Sequence, residues 1–128
     1  MPTKKEVFID LMNLLKTNIT EVSNRVYSSY PKKKITLPFI VLSDIRRSQN
    51  TITLTKEIVD EVFVVNITVY TKTAQQLDEL SDSIYSLVQT TPIHSFKPNM
   101  IEDVDSAEVI DENNKVIHYK TIAVTYRY

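Results

Sequence analysis

The sequence predicts an α+β fold, an antiparallel β-sheet with two helices packed on one face as a two-layer sandwich. The first observation is a change of apolar period inside residues 62–88, from the alternation of a strand to the steps of three and four of a helix. The second is an amphipathic run near the N-terminus, and the third is an alternating run at the C-terminus. Hairpins with only two helices among them favour antiparallel pairing.

Both predicted helices begin at a capping box, in which a threonine precedes a Glu or Gln by three residues. The boxes are Thr3–Glu6 and Thr73–Gln76, and they predict helices over about 4–17 and 74–89. Each helix has one apolar stripe, which we expect to face the sheet. The stripes comprise Val7, Phe8, Leu11, Met12, Leu15 and Ile19 in the first helix, and Leu77, Leu80, Ile84, Leu87 and Val88 in the second.

The other apolar runs predict strands. In the longest, Phe63, Val65, Ile67 and Val69 alternate with polar residues, as in a half-buried strand. The predicted strands are a short extended piece at Val26 and Tyr27, an apolar run at 39–45, the alternating run at 57–71, a strand at 100–111 and a returning strand at 116–128.

The segments between these elements are assigned to turns and loops. Two proline-bounded segments, 28–38 and 92–99, read as loops, and 46–50 reads as a connection. Residues 51–57 fit either a separate strand or an arm that reaches off the body. The chain has no glycine, so its turns must depend on Asn and Asp, for which Gln49-Asn50 and Asn113-Asn114 are candidates.

Composition narrows the possible functions. A length of 128 residues favours a single domain over 1–128. A net charge of -1 argues against strong binding to nucleic acid or anionic membranes, and the polar N-terminus leads us to expect a cytoplasmic protein. The absence of cysteine and glycine excludes disulfides, thiolate chemistry and the glycine-rich phosphate loops.

No residues form a recognisable catalytic or metal-binding pattern, so we expect no enzyme activity, cofactor or metal. His94 and His118 lie in different elements without a partner at ligand spacing. The acidic residues of 102–112 lack the glycine-centred loop of a calcium site, and a solvated or partner-facing edge is the simpler interpretation. Residues 32–34 are three lysines, which we interpret as a solvated loop.

Arginine and tyrosine mark candidate interface positions, since both are favoured where proteins associate. We weigh this interpretation against an ordinary, half-buried final strand for the C-terminal tyrosines. The candidate interface residues are Arg46, Arg47, Lys56, Tyr126, Arg127 and Tyr128.

The order of several segments resembles the tail completion and tail terminator proteins of long-tailed bacteriophages, which join tail to head. The segments, in order, are LMNLL, NRVYSSYP, LPFIVLSDI, VFVVNITVYTKT, QQLDELSDSIYSLV and HYKTIAVTYRY. The resemblance covers nearly the whole chain, but it offers no invariant motif from which a functional residue can be assigned. Members of this family often have glycine in the loop after the first strand, and this chain has none.

The resemblance implies a non-enzymatic virion protein that is assembled in the host cytoplasm. Its copies would form a ring, usually of six, that terminates the tail tube and joins it to the head connector. Its partners would be itself, the tail tube protein and the head–tail connector protein, with no sequence-specific nucleic acid and no membrane. Two alternatives stay open: a neck or head-completion protein that docks on the connector, and a small hydrolase that uses carboxylates.

Overall fold

The computed structural model of the chain describes residues 4–22, 25–29, 36–51, 58–93, 96–110 and 114–127. The elements in these residues are α1 (Lys4–Asn18), a one-turn 3₁₀ helix (Thr20–Val22), β1 (Val26–Tyr27), β2 (Phe39–Thr51), β3 (Ile58–Thr71), α2 (Ala74–Thr90), β4 (Lys97–Ile110) and β5 (Val116–Arg127). The five strands form one sheet with the order β1-β2-β3-β5-β4. Every neighbouring pair is antiparallel except β1 and β2.

The two helices cover the same face of the sheet, which confirms the predicted two-layer α+β sandwich. Alternate residues of β3 join the apolar stripes of both helices in a single cluster. The helix α2 starts where predicted, because the Thr73 hydroxyl accepts a hydrogen bond from the Gln76 amide at 3.1 Å. Fully buried members of the cluster include Leu11, Leu15, Ile67, Ile84, Ile122 and Tyr126.

Strand β2 is longer than the sequence predicts. Residues 46–50, expected to be a connection, continue the strand, with Arg46 opposite Val64 and Asn50 opposite Asp60. The expected turn at Gln49-Asn50 is therefore wrong. Polar residues remain extended here because β3 offers a continuous backbone partner, and a bulge between Asp44 and Arg46 absorbs the change of register. Residues 52–57 lie outside the described residues.

Strand β4 also begins earlier than expected, at Lys97 instead of Met100. Pro98 falls inside it, although the prolines of 92–99 predicted a loop. Proline is tolerated in β4 because this strand is at the edge of the sheet, where an amide donor is not needed on the outer side. At the following turn Asn114 has a φ of 60°, the left-handed conformation that the asparagine pair predicts.

Candidate assembly surfaces

One end of the sheet extends beyond its centre as a hairpin of β2 and β3. The pairing of β3 with β5 begins at Val62 opposite Arg127. Beyond that point the described partner of β3 is β2 alone, along a ladder that continues to Thr51 opposite Ile58. We call the described residues of this extension, 49–51 and 58–61, the β2–β3 tip.

The opposite end of the sheet extends as a hairpin of β4 and β5. The pairing of β3 with β5 ends at Thr71 opposite His118. Beyond it β4 and β5 pair only with each other, to Ile110 opposite Val116. We call residues 109–110 and 116–117 the β4–β5 tip. The β2–β3 tip is at the end of the sheet where β3 begins, and the β4–β5 tip is at the end where β3 stops. The two tips therefore lie at opposite ends of the sheet.

Two strand edges have no ladder partner among the described residues. On one side, β1 is so short that it pairs only with Ile40 and Val41, which leaves the outer edge of β2 open over 42–51. On the other side, β4 pairs with β5 alone, so its outer edge is open along its length. An open edge presents a row of backbone donors and acceptors that a further strand can satisfy.

Strand β4 is exposed, acidic and partly apolar. From Glu102 to Ile110 every side chain is exposed. Four carboxylates against one lysine leave three negative charges on the strand. Its apolar side chains are also exposed, with exposed fractions of 51% for Met100, 58% for Val104 and 70% for Ile110. The open edge of β4 therefore combines negative charge with exposed apolar side chains.

A small polar cluster links β4 to α2 and β5. The Tyr85 hydroxyl of α2 donates a hydrogen bond to Asp103 Oδ1 at 2.8 Å. Lys120 of β5 lies 3.7 Å from Asp103 and 3.9 Å from Asp78. Burial, together with the hydrogen bond to Asp103, raises the pKa of Tyr85 to about 12. The cluster fixes β4 against α2 through side chains on one face and leaves its outer backbone edge open.

His118 has a partner that sequence analysis did not identify. Its Nδ1 lies 3.5 Å from Glu108 Oε1 on the neighbouring strand. The two residues are directly opposite in the β4–β5 ladder, which predicts this contact only once the register is known. The histidine therefore makes a cross-strand contact with a carboxylate near the β4–β5 tip. His94 lies outside the described residues.

The helix-free face of the sheet has a row of aromatic rings that crosses four strands. Phe39 stacks on Tyr70 with ring centroids 4.7 Å apart, and Tyr27 meets Phe39 edge-on at 6.2 Å. Tyr119 continues the row at 5.8 Å from Tyr70. Its hydroxyl donates to Asp105 Oδ2 at 3.1 Å, a hydrogen bond that raises the pKa of Tyr119. The row joins β1, β2, β3, β5 and, through Asp105, β4.

The six candidate interface residues fall in three groups. The backbone of Arg46 and Arg47 lies on the open part of β2, and Arg127 is exposed at the end of β5. Lys56 and Tyr128, as well as the lysines at 32–34, lie outside the described residues. The sixth, Tyr126, has an exposed fraction of 0% and belongs to the core cluster. Its assignment to an interface is wrong.

The burial of Tyr126 follows from the register. It faces Phe63 across the β3–β5 ladder, on the helix-covered face. Burial raises the pKa of its hydroxyl, which has no hydrogen-bond partner among the described residues. The placement of residues 122, 124 and 126 on one face of the strand predicts that Tyr126 is buried. The interface assignment instead relied on its position beside Arg127 at the end of the chain.

The described residues contain no group of three or more His, Cys, Asp or Glu side chains placed to hold a metal ion. A solvent-open groove of about 350 Å³ lies between α1 and the segment after α2, and its lining includes Asp10, Asn13, Thr17 and Ile93. Asp10 is the one carboxylate among the lining residues of this groove, which otherwise supply amides, hydroxyls and apolar groups. Neither described helix has the length and apolar character that a membrane span requires.

Comparison with known proteins gives a likeness of fold without a likeness of sequence. No protein-family model matches the chain. No curated protein matches it either. Among solved structures, a chain from the virion of a native gene transfer agent (GTA) particle has the same fold, with a TM-score of 0.60 over 92% of both chains. The sequence identity is 8%, so the likeness concerns the fold alone.

Proposed function

We propose that this chain is a non-enzymatic structural protein of a phage or prophage virion. The observation that carries this proposal is the likeness to a chain of a gene transfer agent virion, which extends over 92% of both chains. A match of that extent concerns the fold of nearly the whole chain and not one local motif. The proposal is supported by exposed apolar and charged residues that lie along strand edges without a partner among the described residues.

Within the virion, we assign the protein to a ring that terminates the tail tube and joins it to the head connector. The ordered segments that resemble tail completion and tail terminator proteins support this position. Ring closure requires a heterologous interface, in which two different patches of each copy meet. The molecule offers such patches, because its two tips lie at opposite ends of the sheet and its two open edges on opposite sides.

The proposed partners are further copies of the chain, six in a ring, together with the tail tube protein and the head–tail connector protein. The protein would reach the virion from the host cytoplasm, where the particle is assembled. A net charge of -1 supports a role without sequence-specific nucleic acid or membrane binding. No cofactor is needed for this role.

A neck or head-completion protein that docks on the connector is the second candidate. The likeness to a virion chain supports this position equally, because it concerns the fold and not a place in the particle. The two candidates differ in the step that fails when the protein is missing. A tube without its terminating ring has no stop to its growth, whereas a head without its completion protein cannot accept a finished tail.

Deletion of the coding sequence from its own phage or prophage, followed by electron microscopy of the particles, tests the proposal. We expect separate heads together with tubes of irregular length, and normal particles when the wild-type chain is supplied in trans. Tubes of normal length beside heads that accept no tail would support the second candidate instead. Normal particles from the deletion strain would contradict both.

A further inference from the structure

We propose that the outer edge of β4 in one copy pairs with the open edge of β2 in a second copy, so that copies join head to tail through a continuous sheet. The proposal rests on the proposed ring and names the segments that form its repeated contact. The occupant of each edge is thus another copy of this chain.

The backbone supplies the first argument. Residues 42–51 of β2 have β3 on one side and no described strand on the other, and β4 has the same arrangement with β5. At roughly 3.3 Å per residue, the open part of β2 is about 30 Å long, enough for a ladder of several hydrogen bonds. Edge strands of this length are usually blocked or paired.

Charge supplies the second argument. Strand β4 has three net negative charges, whereas β2 has two arginines against one aspartate and is therefore positive by one. Opposite charges on facing strands stabilise a pair, and like charges directly opposite destabilise it. Two β4 edges would repel each other, while a β4 edge and a β2 edge attract. The charges thus select the head-to-tail contact over a symmetric dimer.

The shape of β4 indicates which part of the strand pairs. Bulges interrupt its register between Pro98 and Met100 and between Asp103 and Asp105. Residues 105–110 follow the second bulge without interruption and lead into the β4–β5 tip. This stretch includes Val109 and Ile110, which are 43% and 70% exposed. Pairing here would cover apolar surface that the single copy leaves in water.

Two charge-reversal variants test the contact: R46E/R47E on β2 and E102K/E108K on β4. In R46E/R47E the β2 and β4 edges are both acidic, and in E102K/E108K both are basic. Each variant alone should therefore lose self-assembly. A mixture should assemble again, because every acidic β2 edge meets a basic β4 edge and every basic β2 edge meets an acidic β4 edge. Light scattering with size-exclusion chromatography measures the masses.

For each variant alone we expect the concentration of half-assembly to rise at least about tenfold, with recovery in an equimolar mixture. The matched control is E79K/D82K, which makes the same change of charge on the exposed side of α2 and should assemble like the wild type. Assembly of R46E/R47E alone at the wild-type concentration, or failure of the mixture to recover, would overturn edge pairing while the ring proposal stands. A wild-type chain that stays monomeric at every concentration would overturn both.

Discussion

The centre and the margins of this sheet have opposite character. In the centre, Ile67 of β3 and Ile122 of β5 are paired on both sides and have exposed fractions of 0%. At the margin, β4 has a strand partner on one side only among the described residues, and Val104 and Ile110 are 58% and 70% exposed. The helices pack on the centre, where their apolar stripes join the core cluster.

We infer from this difference that folding stability depends on the centre and that the proposed assembly would depend on the margins. Burial of apolar area is the main source of folding free energy, and here it is concentrated under α1 and α2. The margins contribute little to that core, and their outer backbone groups have no ladder partner among the described residues. Substitutions in the two regions should therefore have effects on different measurements.

The largest effect should come from removing a buried side chain in the centre. Ile84→Ala deletes part of a fully buried side chain of α2 and should lower the free energy of unfolding by roughly 2–5 kcal/mol. The matched change at the margin is Ile110→Ala, which should cost less than about 0.5 kcal/mol, as at other exposed sites. Urea denaturation of dilute protein measures both. Equal losses would show that the two regions do not differ in this way.

A smaller effect is expected at the start of α2. Thr73→Ala removes the side chain that accepts from the Gln76 amide and should cost about 1 kcal/mol. Thr73→Ser retains the hydroxyl and serves as the control. Because α2 packs on the centre of the sheet, the loss should appear as a lower midpoint in urea, with no change in the assembled mass. An unchanged midpoint would mean that the cap does not limit the stability of the helix.

Tyrosine ionisation should distinguish centre from margin in alkaline solution. A folded-state pKa raised above the ordinary value of about 10 means that the folded chain retains a proton that the unfolded chain has lost. The contribution of these tyrosines to stability is therefore constant below about pH 10 and falls as the pH rises above it. Tyr126→Phe should reduce this loss more than Tyr119→Phe does, because Tyr126 is raised by burial and Tyr119 by its hydrogen bond with Asp105.

At neutral pH, Tyr126→Phe should be within about 1 kcal/mol of the wild type or more stable, since it removes a hydroxyl that lacks a described partner. Thermal melts from pH 7 to pH 11 measure both effects. A large loss at neutral pH would show that the hydroxyl makes a contact essential to the core. If the stability of Tyr126→Phe fell with rising pH as steeply as that of the wild type, the burial of Tyr126 would not be the cause of the loss.

The smallest effect on stability is expected from R46E/R47E. These residues lie where β2 passes from the centre toward its tip, so dilute protein should unfold within about 0.5 kcal/mol of the wild type. A fluorescence or circular-dichroism melt at low concentration checks this. A large loss of unfolding free energy would mean that the two arginines contribute to the packing of the single copy. A change in the assembly of this variant could then result from its lower stability and not from a lost interface.

The centre of the fold could be predicted from the sequence because each element there has one buried face. The period of Leu77, Leu80, Ile84 and Val88 predicts the helix, its stripe and its cover over the sheet, and all of these are confirmed. The alternation of β3 likewise gives the correct face for Phe63 to Val69. A buried face makes apolar residues repeat at the period of its helix or strand. That repeat can be recognised in the sequence without knowing what the face packs against.

The margins could not be predicted in the same way. Residues 46–50 have no apolar alternation, and only the ladder with β3 reveals that they continue a strand. The contacts of Glu108 with His118 and of Tyr85 with Asp103 depend on register and on the bulge in β4. Open edges are a property of the whole sheet, so no local pattern of residues indicates them.

The most direct test of this account is amide hydrogen exchange of the wild-type chain, measured in dilute and in assembled samples. We predict that the amides of β3 and β5 are protected equally in both samples, because their partners lie within one copy. The outer amides of β4 and of residues 42–51 should gain protection only in the assembled sample. An assembled sample in which these edges exchange as fast as in dilute protein would contradict the account.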